Sequence, residues 1–126
     1  ELAQLMGLSK DAVLADPQAC AVDAARRWHA IVALKGALTI LAMPDGTSWA
    51  HAGGNIGLAI SGSGDTLAGI ISGLAARGAP LEQACAWGIA LHALAGEQLA
   101  LRFGILGYLA REIPAEIPAL LRNLAP

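Results

Sequence analysis

Gly62-Ser63-Gly64-Asp65-Thr66-Leu67 stands at the junction between a glycine-rich loop and a long apolar run. Two glycines one residue apart let the backbone turn sharply and bring its N–H groups close to a ligand, because no Cβ intervenes. A helix is predicted from Asp65 to about Ala76, carrying Leu67, Ile70, Ile71 and Leu74. The free N–H groups and dipole of its first turn favour negative charge. A phosphate suits that position, and Asp65 is the acid beside it. Backbone donors at Gly62, Ser63 and Gly64, with a carboxylate at their lip, form an anion hole suited to phosphoryl chemistry on a hydroxyl.

Upstream, 51–65 reads as loop, dense in glycine, and a loop of that length inside a domain points to function. Before it, Leu38 to Ala50 reads as a β-hairpin closed by Pro44-Asp45-Gly46. Ile31 to Lys35 reads as a buried strand, apolar until its last residue. Asp16-Pro17 marks a helix start, the acid capping and the proline fitting the first turn, and this helix should run to Trp28-His29. Two short helical stretches, 1–8 and 9–14, precede it. Downstream, Gly78 and Pro80 end the central helix, and Leu81 to Leu101 reads as a buried helix, apolar nearly all round. A final helix is started or interrupted at Pro114 and Pro118.

The composition agrees with an α/β chain. Of 126 residues 56% are hydrophobic yet only 4% aromatic, so alanine, leucine and glycine supply the apolar surface and suit close helix–sheet packing. A net charge of −2 offers no basic face for nucleic acid. No apolar run approaches the roughly 18 residues a membrane span needs. Glu1-Leu2-Ala3-Gln4 lacks the basic start of a secretory signal, and a cytoplasmic location is expected. Cys20 and Cys85 lie far apart and read as reduced, buried thiols. His29, His51 and His92 have no metal-ligand spacing, so no metal site is expected. Trp28, Trp49 and Trp87 read as packing residues, and His92, midway along an apolar helix, as a hydrogen-bonded core histidine.

The run Gly54-Asn55-Ile56-Gly57-Leu58-Ala59-Ile60-Ser61-Gly62-Ser63-Gly64-Asp65-Thr66-Leu67-Ala68-Gly69 resembles the signature of the ADP/ATP-dependent NAD(P)H-hydrate dehydratases, in the ribokinase-like superfamily. Lys35-Gly36-Ala37-Leu38-Thr39 resembles the family's Lys-Gly-x-x-Thr, and Leu91-His92-Ala93-Leu94-Ala95-Gly96 its Leu-His-x-x-Ala-Gly. Gly107-Tyr108-Leu109-Ala110 resembles its Gly-Leu-Leu-Ala. Three positions depart from the pattern: Ile56 replaces Pro, Ile60 replaces Thr and Ser61 replaces Gly.

The resemblance implies a ribokinase-like α/β sandwich, a central sheet with flanking helices. It implies that 1–126 correspond to the C-terminal portion of one such domain, its N-terminal half lying outside the chain. The implied activity is nicotinamide nucleotide repair. ADP or ATP, with Mg2+, phosphorylates the C6 hydroxyl of hydrated NADH or NADPH, and phosphate is eliminated to restore the double bond. By the same resemblance Asp65 orients that hydroxyl and accepts its proton. Lys35, Gly36, Ala37, Leu38 and Thr39 contact the AMP part of the nucleotide, Gly64 also binds the nucleotide, and Asn55 either binds substrate or holds its loop. A homo-oligomer is expected. Two alternatives are a non-catalytic adenine-nucleotide-binding or oligomerisation fragment, and a small-molecule kinase of the same superfamily.

Overall fold

The computed structural model describes residues 1–124, which form two compact units, 1–52 and 53 onward. The first unit begins with α1 (Leu2–Met6), α2 (Lys10–Ala15) and α3 (Pro17–Trp28). Gly7 ends α1 in the left-handed region at φ +69°, which a side chain would resist. The Ser9 Oγ accepts the Ala12 N–H at 3.1 Å, and Asp16 Oδ1 accepts the Ala19 N–H at 2.9 Å. Each thereby satisfies a donor that has no partner inside its own helix. Asp16 with Pro17 behind it is the start expected from the sequence.

Three strands follow: β1 (Val32–Leu34), β2 (Thr39–Ala42) and β3 (Ser48–His51), ordered β1-β2-β3 and antiparallel throughout. Ala33 faces Leu41, and Leu41 faces Trp49, which fixes the register. Ile40 and Ala42 point to one side of β2 and pack with Ala21 and Ala25 of α3. The alanines let the helix approach the sheet closely. Leu2, Met6, Val13 and Ala24 form a second cluster, with Val32 and Leu34 against it. β1 proves half-buried rather than buried, because it pairs on one side only. The turn at Pro44 to Gly46 is held by Asp45 Oδ1, which accepts the Thr47 N–H at 2.8 Å and also pairs with the Thr47 hydroxyl.

The second unit contains α4 (Ser63–Ala76), α5 (Leu81–Phe103) and α6 (Ile113–Leu124). The glycine-rich loop before α4 is not wholly irregular, since Ile56–Ala59 makes one 3₁₀ turn. A second 3₁₀ turn, Ala110–Glu112, leads into α6, and Glu112 Oε2 accepts the Leu109 N–H there at 2.7 Å. α6 runs from Ile113 straight through Pro118. Ala95 and Leu99 of α5 bury against Tyr108 and Ile113, with Leu58, Ile70 and Ile117 around them. Arg102 of α5 pairs with Glu116 of α6 at the surface. No helix among the described residues is long and apolar enough to cross a membrane.

The three tryptophans correct the sequence reading. Trp28, Trp49 and Trp87 all leave more than a third of their surface exposed. Trp49 is exposed in β3, as is its neighbour Ala50, and Trp87 lies on the exposed side of α5. Both cysteines are free and partly buried, and burial raises the Cys85 thiol above its ordinary value.

Candidate functional site

The predicted anion loop sits at the start of α4, two residues earlier than expected. Gly62 takes the cap position with φ +85°, a left-handed conformation that favours glycine. Its C=O accepts the Thr66 N–H at 3.0 Å and the Thr66 hydroxyl, also at 3.0 Å. The helix therefore begins at Ser63, and Asp65 occupies the third position of its first turn. Gly64 and Asp65 are exposed, and their N–H groups lie where a helix provides no acceptor of its own. The dipole places partial positive charge at the same point.

Ser63 differs from its neighbours. Its N–H is already donated to the Ile60 C=O at 3.2 Å, so it is not available to a ligand. Of the three backbone donors expected from the sequence at Gly62, Ser63 and Gly64, that of Ser63 is thus spent within the loop, and the Asp65 amide beside Gly64 is exposed. The Ser63 side chain is turned inward and is 1% exposed. There it meets buried His92 of α5, whose Nε2 lies 3.0 Å from Ser63 Oγ and 3.0 Å from Ser63 O. The hydrogen-bonded core histidine read from the sequence is what the structure shows, and its partner is the loop itself.

Asn55 caps the 3₁₀ turn. Its Oδ1 accepts the Gly57 N–H at 2.9 Å and the Tyr108 hydroxyl at 2.9 Å. The first of these fixes the orientation of the amide, since an N–H cannot pair with an NH2 group. Asn55 Nδ2 is buried and has no hydrogen-bond partner among the described residues. Glu97 of α5 accepts the neighbouring Gly54 N–H at 2.7 Å. Ala110 O accepts the Thr66 hydroxyl at 3.3 Å. The short stretch from Tyr108 to Ala110 therefore touches both the Asn55 turn and the first turn of α4. Neither Tyr108 nor Glu97 was legible as a site residue, because they lie 53 and 43 residues from their partners and belong to no local pattern.

Burial pushes the Tyr108 phenol above its ordinary value of 10.0. The folded state thus favours the neutral phenol, and this contribution to stability is complete below the unfolded value and lost as pH rises through the folded one. Tyr108 is the one tyrosine of the chain. Its ring-carbon NMR signal is expected to titrate at higher pH in the folded than in the urea-denatured chain; coincident curves would contradict the burial argument.

Lys35, Gly36, Ala37 and Leu38 form the exposed connection between β1 and β2, and Thr39 opens β2 half-buried. They belong to the first unit, whereas Asn55 and the α4 turn belong to the second. A groove of about 670 Å³ runs along α4 and α6 within the second unit, lined by Thr66, Gly69, Ile70, Pro114, Ile117 and Pro118, with Leu121 and Arg77. Asp65 does not line this largely apolar groove, although Thr66 of the same helical turn does. No group of three or more His, Cys, Asp or Glu among the described residues could hold a metal ion.

The α/β architecture is that of the ribokinase-like fold, as comparison with known structures shows. The structure of the ADP/ATP-dependent NAD(P)H-hydrate dehydratase from Bacillus subtilis, co-crystallised with ATP/Mg2+ and soaked with CoA, superposes with a TM-score of 0.93 at 26% identity. The match covers 98% of this chain and 46% of that one. The ADP-dependent (S)-NAD(P)H-hydrate dehydratase of Xanthomonas campestris is 51% identical over 98% of this chain and 43% of its own length. A bifunctional NAD(P)H-hydrate repair enzyme of Moorella thermoacetica is 40% identical over 98% of this chain and 23% of its own. The NAD(P)H-hydrate dehydratase family model matches residues 1–119, and the chain belongs to that family. It spans less than half the length of these relatives.

Proposed function

We propose that this chain carries the phosphoryl-transfer part of an ADP- or ATP-dependent NAD(P)H-hydrate dehydratase. The observation that carries the reading is the exposed carboxylate of Asp65 in the same helical turn as the free amides of Gly64 and Asp65, opened by Gly62. In this reading a nucleotide presents its terminal phosphoryl group to those amides. The C6 hydroxyl of the hydrated nicotinamide attacks phosphorus, and Asp65 orients it and accepts its proton as the P–O bond forms. Positioning and charge stabilisation are the main demands of such a transfer. Loss of phosphate then regenerates the ring double bond. Within the first unit, the exposed Lys35 to Leu38 connection and Thr39 are the candidate contacts for the AMP part of a nucleotide. Asn55 contributes its Nδ2 to substrate, since its Oδ1 is already engaged.

The described residues include no cluster fit to hold Mg2+. Mg2+ would accompany the nucleotide's phosphates, and no step above depends on it. Ile60, where the family pattern has Thr, supplies no hydroxyl near the phosphates and instead packs into the Ala95–Leu99 cluster. Leu101, Phe103, Ile105 and Leu106 are all more than half exposed. Self-association that covers apolar surface of this kind is part of the proposal; a clean monomer by light scattering would remove it.

The direct test is to supply the intact protein with hydrated NADPH and either ADP or ATP, and follow the return of reduced-nicotinamide absorbance. Binding of AMP by calorimetry without that return would replace this reading with a non-catalytic nucleotide-binding one. A stable phosphorylated product would replace it with a kinase.

A further inference from the structure

We propose that His92 is a positioning residue for the phosphoryl-transfer turn, holding Ser63 and through it the amides of Gly64 and Asp65. The proposal rests on the reading of that turn given above. His92 Nε2 is 3.0 Å from the Ser63 carbonyl oxygen and 3.0 Å from Ser63 Oγ. A carbonyl oxygen can only accept. Nε2 therefore carries the proton that faces it, because an unprotonated Nε2 would set lone pair against lone pair. With Nε2–H donating, His92 is not placed to take a proton from the Ser63 hydroxyl. Ser63, 1% exposed, is also out of reach of a substrate. The pair is thus not a serine–histidine nucleophile, and the work left for it is to hold the backbone.

The flanking residues show why holding is needed. Gly62 and Gly64 stand on either side of Ser63, and glycine loses more freedom on ordering than any other residue. Ser63 is the fixed point between them. Its N–H is bound to Ile60 O, and its carbonyl and hydroxyl oxygens both meet His92. His92 itself sits among the buried residues Leu91 and Ala93 of a 23-residue helix, a rigid support. Donors fixed before the reaction stabilise transition-state charge without reorganising during it. A small displacement of such groups lowers the rate more than it weakens ground-state binding.

Two polar variants separate this role from general stability. In His92→Gln the terminal amide nitrogen reaches about as far as Nε2; in His92→Asn it falls short by one carbon. With the intact protein, His92→Gln should keep kcat within about threefold of wild type, while His92→Asn should lose at least about tenfold. KM for the nucleotide should move by no more than about threefold in either. Backbone amide exchange at Ser63 and Thr66, whose N–H groups are bonded to Ile60 O and Gly62 O, with Leu99 of α5 as reference, should be faster in His92→Asn than in His92→Gln. Equal kcat for the two variants, or equal exchange at Ser63 and Thr66, overturns the proposal. If the wild-type protein does not dehydrate hydrated NADPH, the reading of the site falls, and the exchange comparison alone decides whether His92 positions the turn.

Discussion

Asp65→Asn in the intact protein is expected to lower kcat for dehydration of hydrated NADPH by ~10²–10⁴-fold, the range typical for loss of a positioned general base. The substitution keeps the size of the side chain and removes its charge and basicity. Asp65 is exposed in the first turn of α4. Loss of a negative charge there costs only ~0.3–1 kcal/mol through the helix dipole. The variant should therefore fold and melt nearly as wild type does, which separates chemistry from stability. Steady-state kinetics with a thermal melt on the same preparation decide the matter. Turnover within tenfold of wild type would remove Asp65 from the chemistry.

Gly57→Ala is expected to destabilise the protein by at least ~1–3 kcal/mol, the usual range for overpacking a filled site. A Cβ at Gly57 would be driven onto the Ile105 carbonyl oxygen and would come within 2.8 Å of both Asn55 Oδ1 and the Tyr108 hydroxyl. None of these can yield cheaply. The first is backbone, and the other two are bonded to each other. The clash thus disrupts the Asn55 turn and its tie to Tyr108 together. Gly73→Ala is the contrasting case. It lies within α4 with nothing within 4 Å of the added carbon. There alanine should stabilise by ~0.5–1 kcal/mol, since it favours the helix. Urea unfolding of the two variants should give shifts of opposite sign; a neutral Gly57→Ala would show that the Tyr108 segment is free to move aside.

Much of the fold was legible because its signals are local. Asp16-Pro17 started α3, Pro44 to Gly46 closed the hairpin, and the glycine pair at 62 and 64 preceded α4. The boundaries that moved did so where backbone bonding overrode residue type. α4 gained two residues because the Gly62 carbonyl already accepts from Thr66. The loop at 51–65 acquired a 3₁₀ turn because the Asn55 side chain captures the Gly57 N–H. The tryptophans were misread because hydrophobic character alone does not say which face of a strand or helix is covered.

The sequence by itself determined the α/β order of elements, the glycine-framed turn and the acid placed on it, since each follows from neighbours a few residues apart. The tertiary structure alone decided which amides of that turn remain free, that Ser63 is spent on His92, and that Tyr108 and Glu97 secure the Asn55 turn. Those contacts join residues tens of positions apart, and only the packing of α5 and of the segment before α6 brings them within hydrogen-bonding distance.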